Sequence, residues 1–170
     1  MSKKSKLFLV IASVFCALLF TSCNEDPECR ISSYVRLRVG FHEMRTDVAG
    51  VATSHSISID SVHVKFANAP QDSVRQARSI HLPLNKFDTV SQFTFTFFDD
   101  IAEGVAGIDV VSIFYTVHET YISFQCGLLH TFTIDSVRTT RYFIDSIVIV
   151  SPEVNNVSNA ENIKIYRHPR

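Results

Sequence analysis

The segment Phe93-Thr94-Phe95-Thr96-Phe97 alternates aromatic and polar residues at every step. A period of two places the three phenylalanines on one face of an extended strand and the threonines on the other, which a helix cannot do. The pattern recurs. Tyr34, Val35, Leu37, Val39 and Phe41 outline a strand with Arg36 and Arg38 on its other face. Ile57 and Ile59, then Val62, Val64 and Phe66, outline a second, and the parity shift at Asp60-Ser61 predicts a bulge or break. Val110 to Val117 is a more continuous β-branched and aromatic run, as a central strand would be. Tyr121, Ile122 and Phe124 lead into Cys126-Gly127. Phe132 with Ile134, Tyr142 with Ile144, Ile147 with Ile149, and Ile163 with Ile165 supply further strands. Arg138-Thr139-Thr140-Arg141 is expected to turn a hairpin between 131–137 and 142–150. Asp99 to Gly107 is expected to hold a turn or short helix, and Asn68 to Ile80 a polar connection. With no 3.6-residue stripe anywhere, the chain reads as all-β, an antiparallel β-sandwich of about seven to nine strands.

The first residues follow different rules. Lys3, Lys4 and Lys6 precede an uncharged run from Leu7 to Phe20. As a helix that run is about 21 Å long, short of the roughly 30 Å hydrocarbon core, so it reads as a secretory signal rather than a membrane anchor. It ends at Leu19-Phe20-Thr21-Ser22-Cys23, which resembles the lipobox of bacterial lipoproteins. That resemblance implies cleavage before Cys23 and acylation of its sulfur and new amine. Two or more acyl chains, at about 0.8 kcal/mol per buried CH₂, anchor stably where one does not. The expected organisation is signal peptide 1–22, lipidated tether 23–32, β-sandwich 33–167 and tail 168–170. The acids Glu25, Asp26 and Glu28 in the tether resemble the surface-export signal of Bacteroidetes lipoproteins, although a solvated linker has the same composition.

Removal of the signal takes the formal charge from −1 to −4. Nucleic acid is therefore not an expected partner, since that needs a basic stripe. Of the four cysteines, Cys16 leaves with the signal and Cys23 carries lipid. Cys29 and Cys126 remain, an even pair in an oxidising compartment. A bridge between them would be worth up to about 4.7 kcal/mol by loop closure. Two buried thiols are the alternative.

Cys29, Cys126-Gly127 and the terminal Asn162-Ile163-Lys164-Ile165-Tyr166, together with Leu82-Pro83-Leu84 and Ile144-Asp145-Ser146-Ile147, resemble an uncharacterised outer-membrane lipoprotein family of Bacteroidetes. The resemblance implies a single β domain of unknown function. It carries no catalytic residues.

No assembled catalytic set is legible. The seven histidines lack the spacing of a zinc protease. Asp99, Asp100, Glu103 and Asp109 form the densest acid cluster and are the weak calcium candidates; otherwise no metal and no cofactor is expected. One pattern exceeds chance. Asp, hydroxyl, aliphatic occurs five times, centred on Ser61, Ser73, Thr89, Ser136 and Ser146, where random placement gives about 0.7. Asp-Ser turns explain part of the excess. The pattern also resembles the O-glycosylation acceptor motif of Bacteroidetes secreted proteins, and Ser73 and Thr89 are the sites most expected in accessible loops. The function expected is a non-enzymatic accessory or binding module on the outer membrane, at its periplasmic or cell-surface face. Its partners are the membrane itself and an envelope protein or glycan. The alternatives are a surface hydrolase or carbohydrate-active enzyme using the acid loop Asp99–Glu103, or a structural envelope lipoprotein.

Overall fold

The computed structural model describes residues 35–66, 72–99, 104–124, 126–157 and 159–167. All belong to one compact unit, Ser32–Arg170. Every regular element among them is a strand. In chain order these are β1 (Arg36–Thr46), β2 (Ala52–Ser56), β3 (Ile59–Phe66), β4 (Asp72–Ala77), β5 (Ser79–Pro83), β6 (Val90–Asp99), β7 (Gly104–Ser123), β8 (Gly127–Thr139), β9 (Ile144–Ile149), β10 (Glu153–Val154) and β11 (Ile163–Arg167).

The strands form two sheets. In the first, β1, β11 and β9 lie side by side, and the outer edge of β1 is shared by β5 and β2. The second has the order β10-β8-β7-β6-β3-β4. All pairings are antiparallel except one. β1 runs parallel to β11, with Val39 opposite Ile163 and Phe41 opposite Ile165. The fold is thus a mostly antiparallel sandwich with eleven strands, more than the alternation predicts. The extra strands include β2, β4, β5 and β10, of which β5 does alternate, with Ile80 and Leu82 buried. Ala52-Thr53-Ser54-His55-Ser56 is exposed at every position, and only its pairing to β1 makes it a strand.

Parity decides the core. Leu37, Val39 and Phe41 of β1 point inward, as do Ile163 and Ile165 of β11. Phe93, Phe95 and Phe97 of β6 meet them from the other sheet, with Val111, Ile113 and Tyr115 of β7 beside them. Phe41 of the first sheet packs edge-on against Phe97 of the second, their centroids 6.5 Å apart. Each fully buried aromatic or aliphatic side chain of this kind contributes about 1.5–3 kcal/mol, so the sheets are held chiefly by burial.

Three local expectations need correction. Residues 138–141 do not turn a hairpin, because β8 and β9 lie in different sheets and β9 pairs with β11. The chain crosses between layers there, for a reason given below. The stretch 72–77 is not a loop but the edge strand β4, paired to β3. The parity shift at Ser61 does not break its strand either: β3 pairs continuously with β6 from Ser61 to Phe66, and Ser61 and Val62 are both buried.

Candidate functional site

The most constrained polar group of the core is Asp109. It shares the apolar parity of β7 with Val111, Ile113 and Tyr115 and is fully buried. Its Oδ1 accepts the Thr140 hydroxyl at 2.6 Å and the Tyr142 N–H at 2.7 Å. Its Oδ2 accepts the N–H groups of Phe143 at 2.7 Å and Ile144 at 2.9 Å. Thr140 Oγ1 in turn accepts the Val110 N–H at 3.0 Å. Burial alone raises this carboxyl's pKa, but the Thr140 hydroxyl and the three backbone N–H groups outweigh it and hold the pKa below the ordinary carboxylate value. This clamp is what turns residues 140–143 from one sheet into the other. Arg141 takes a left-handed φ of 61° in that turn. Gly107 lets Phe143 close in, since a Cβ there would lie 2.8 Å from the Phe143 Cβ.

Asp109 is accordingly not a calcium ligand on an exposed acid loop; both its oxygens are committed to the chain. Of the other three acids, Asp100 and Glu103 lie outside the described residues, and of Asp99 only the backbone is described. Among the described residues no group of three His, Cys, Asp or Glu side chains is placed to hold a metal.

Two further polar clusters fasten loops. Tyr115 donates its hydroxyl to the Asn85 carbonyl at 2.9 Å, accepts the Asn85 N–H at 3.0 Å and contacts Ser91 Oγ at 2.7 Å. Asn162, just before β11, accepts the Arg38 N–H at 3.0 Å. It donates to the carbonyls of Ser151 at 3.1 Å and Glu153 at 2.9 Å. It is the first residue of the Asn-Ile-Lys-Ile segment, and its amide fixes where the last strand begins.

The outer face of the first sheet carries a hydroxyl–imidazole–carboxylate string. Tyr166 donates its hydroxyl to Ser54 Oγ at 3.0 Å. Ser54 Oγ lies 3.2 Å from His42 Nδ1, and His42 Nε2 lies 2.9 Å from Glu161 Oε2. With the proton on Nε2, every member is satisfied in one direction, from Tyr166 through Ser54 and His42 to Glu161. Glu161 can reach His42 because position 40 is glycine; a Cβ at Gly40 would collide with the carboxylate. The order serine, histidine, acid is that of an acyl-transfer site, but here the string closes on itself and ties β1, β2 and β11 together. Neither this string nor the clamp is legible as a motif. The available signal is positional: Asp109 is a carboxylate on an apolar parity, and His42 lies on the polar parity of β1.

One exposed apolar feature is an arm formed by β7 and β8. β6 leaves β7 after Val90 opposite Phe114, and β10 touches β8 only at Phe132 and Thr133. Beyond those points β7 and β8 pair only with each other, out to Ser123 opposite Gly127. Glu119 Oε1 and His130 Nε2 lie 3.2 Å apart part-way along. Past that pair residues 120–129 carry no charge. Tyr121 and Leu128 face each other across the strands and are 64% and 51% exposed. Phe124 at the tip is 96% exposed. Cys126 lies in this tip, its N–H donating to Ser123 Oγ at 3.1 Å. Cys23 and Cys29 lie outside the described residues.

The hydroxyls of the five Asp-hydroxyl-aliphatic triplets are scattered. Thr89 and Ser136 are exposed and Ser146 is half-buried. Ser61 is 8% exposed, which removes it as an acceptor, since a glycan must project into water. Ser73 lies in β4, and only its backbone is described.

A family of unknown function, DUF6452, matches residues 56–167, and the chain belongs to it. The match runs from the end of β2 through β11 and leaves out β1. No curated protein and no solved structure matches the chain.

Proposed function

We propose that this member of the DUF6452 family is a bacterial outer-membrane lipoprotein, held by lipid on Cys23, whose β-sandwich serves as a non-enzymatic accessory or binding module. The observation that carries the reading is the β7–β8 arm. It lifts an uncharged, aromatic tip clear of the sandwich, and an exposed apolar patch of this kind is what an interaction surface presents. The basic head, short apolar run and terminal Cys23 support the address. A bridge from Cys29 to Cys126 would tie the arm to the tether.

Cell fractionation tests the address: Cys23→Ala should abolish fatty-acid labelling and release the protein from the outer-membrane fraction, and a variant that still labels refutes it. Affinity isolation of the full chain from detergent-solubilised membranes tests the role. Failure to co-isolate any envelope component in defined stoichiometry counts against an accessory module.

A further inference from the structure

We infer that the tip of the β7–β8 arm rests in the headgroup layer of the bilayer that holds the Cys23 lipid, so that the domain stands on its membrane arm-first. This placement rests on the lipoprotein reading above and adds an orientation and a contact to it.

The geometry of the arm and of the chain's start supply the argument. β1 begins at Arg36, opposite Pro83, and the chain that continues from Pro83 is pinned at Asn85 to the Tyr115 hydroxyl. Two residues further on, past Val117 opposite the buried Phe132, β7 leaves the sandwich to become the arm. The tether therefore joins the domain at the end from which the arm projects. From His118 to Ser123 the arm extends about 17 Å at roughly 3.3 Å per residue. The twelve positions from Cys23 to Val35 span at most about 43 Å when extended. The tether can thus run the full length of the arm with chain to spare.

The chemistry of the tip selects the occupant. The Glu119–His130 contact lies at the base side of a ten-residue stretch, 120–129, without a charge. Within that stretch Tyr121, Phe124 and Leu128 are turned to the outside. Tyr and Phe at the end of a polar-flanked finger match the membrane–water boundary, where an apolar body and a wet rim are both accommodated. With the proposed Cys29–Cys126 bridge, only six positions would separate the lipid-bearing residue from the tip, a span of at most about 21 Å. The tip would then stay within that distance of the lipid-bearing residue.

The chain contains no tryptophan, so one substitution installs a unique reporter. Full-length lipidated Phe124→Trp is reconstituted into phosphatidylethanolamine–phosphatidylglycerol vesicles, with and without brominated acyl chains. Tyr142→Trp serves as the comparison, since Tyr142 is 78% exposed and lies beside Asp109 near the opposite end of β7. The expected result is co-flotation of both variants, with blue-shifted emission and bromine quenching for Phe124→Trp alone. Flotation with Phe124→Trp unquenched overturns the placement while leaving the anchor intact, and makes a protein the partner of the tip. Equal quenching of both reporters also overturns it, because the domain then lies along the bilayer. Loss of flotation overturns the anchor and the placement together.

Discussion

Asp109 in β7 and Ile144 in β9 belong to different sheets, yet the Ile144 N–H donates to the Asp109 carboxylate at 2.9 Å. With Tyr142 and Phe143 donating to the same side chain, one acid holds the passage of the chain between the two layers. Replacing it strands three backbone N–H groups in the interior. Asp109→Ala is expected to cost about 3–5 kcal/mol, since each buried donor left unpaired costs about 1–3 kcal/mol. Urea denaturation of the soluble domain measures this, and a loss below about 1 kcal/mol would mean the turn is held by packing alone.

The same carboxyl gives the domain an acid limb. Its folded pKa is depressed relative to an unfolded aspartate near 3.9. The stability it contributes is therefore complete above that pH and is lost as pH falls through the lower folded value. Asp109→Asn should be less stable than the parent at neutral pH and should lose less on acidification. Denaturant midpoints across the acid range check the sign; parallel curves for the two proteins would contradict it.

Gly107 is set by its neighbour. A methyl group there meets the Phe143 Cβ at 2.8 Å, and Phe143 itself stacks on Phe97 with centroids 4.4 Å apart. Gly107→Ala is expected to destabilise by about 1–3 kcal/mol through overpacking. Thermal unfolding reads the effect, and an unchanged midpoint would show that the crossing can slide.

Tyr115→Phe removes a hydroxyl that serves Asn85 and Ser91. The expected cost is about 1–3 kcal/mol, with the damage concentrated in residues 84–89. Amide hydrogen exchange should speed up there and stay unchanged in β11. Uniform acceleration would point to a global rather than a local role.

Cys29 and Cys126 are expected to be joined in protein taken from the envelope, both alkylating only after reduction. Loss of either should cost about 2–5 kcal/mol. Thiols that react in the folded, unreduced protein refute the pairing.

The core was legible where one face of a strand is buried. Phe93, Phe95 and Phe97 declare their face at sight, as do Leu37, Val39 and Phe41, because alternation reports half-burial directly. Strand β2 was not legible, since a strand with both faces in water leaves no period. The passage at 138–143 was misread as a hairpin because turn-forming residues mark a reversal without saying which sheet receives the chain. That choice is made by Asp109, 31 positions before Thr140. The string from Tyr166 to Glu161 joins residues 112 and 119 positions apart, a relationship no local pattern encodes. Ser61 likewise shares its triplet with Thr89, and only the fold separates a buried hydroxyl from an exposed one.

The pairing of β1 with β11 sets a condition on when this domain can fold. Arg38 and Asn162, whose hydrogen bond locks the two strands, are 124 residues apart, and β11 stands between β1 and β9. A chain synthesised amino end first presents β1 long before its neighbour β11. The first sheet lacks its middle until residues 163–167 are present. Closure of that sheet therefore comes late, with the loop-closure cost of a long-range contact falling on its last step. The second sheet needs no part of β11, whereas loss of residues 163–167 alone would leave β1 and β9 with no strand between them.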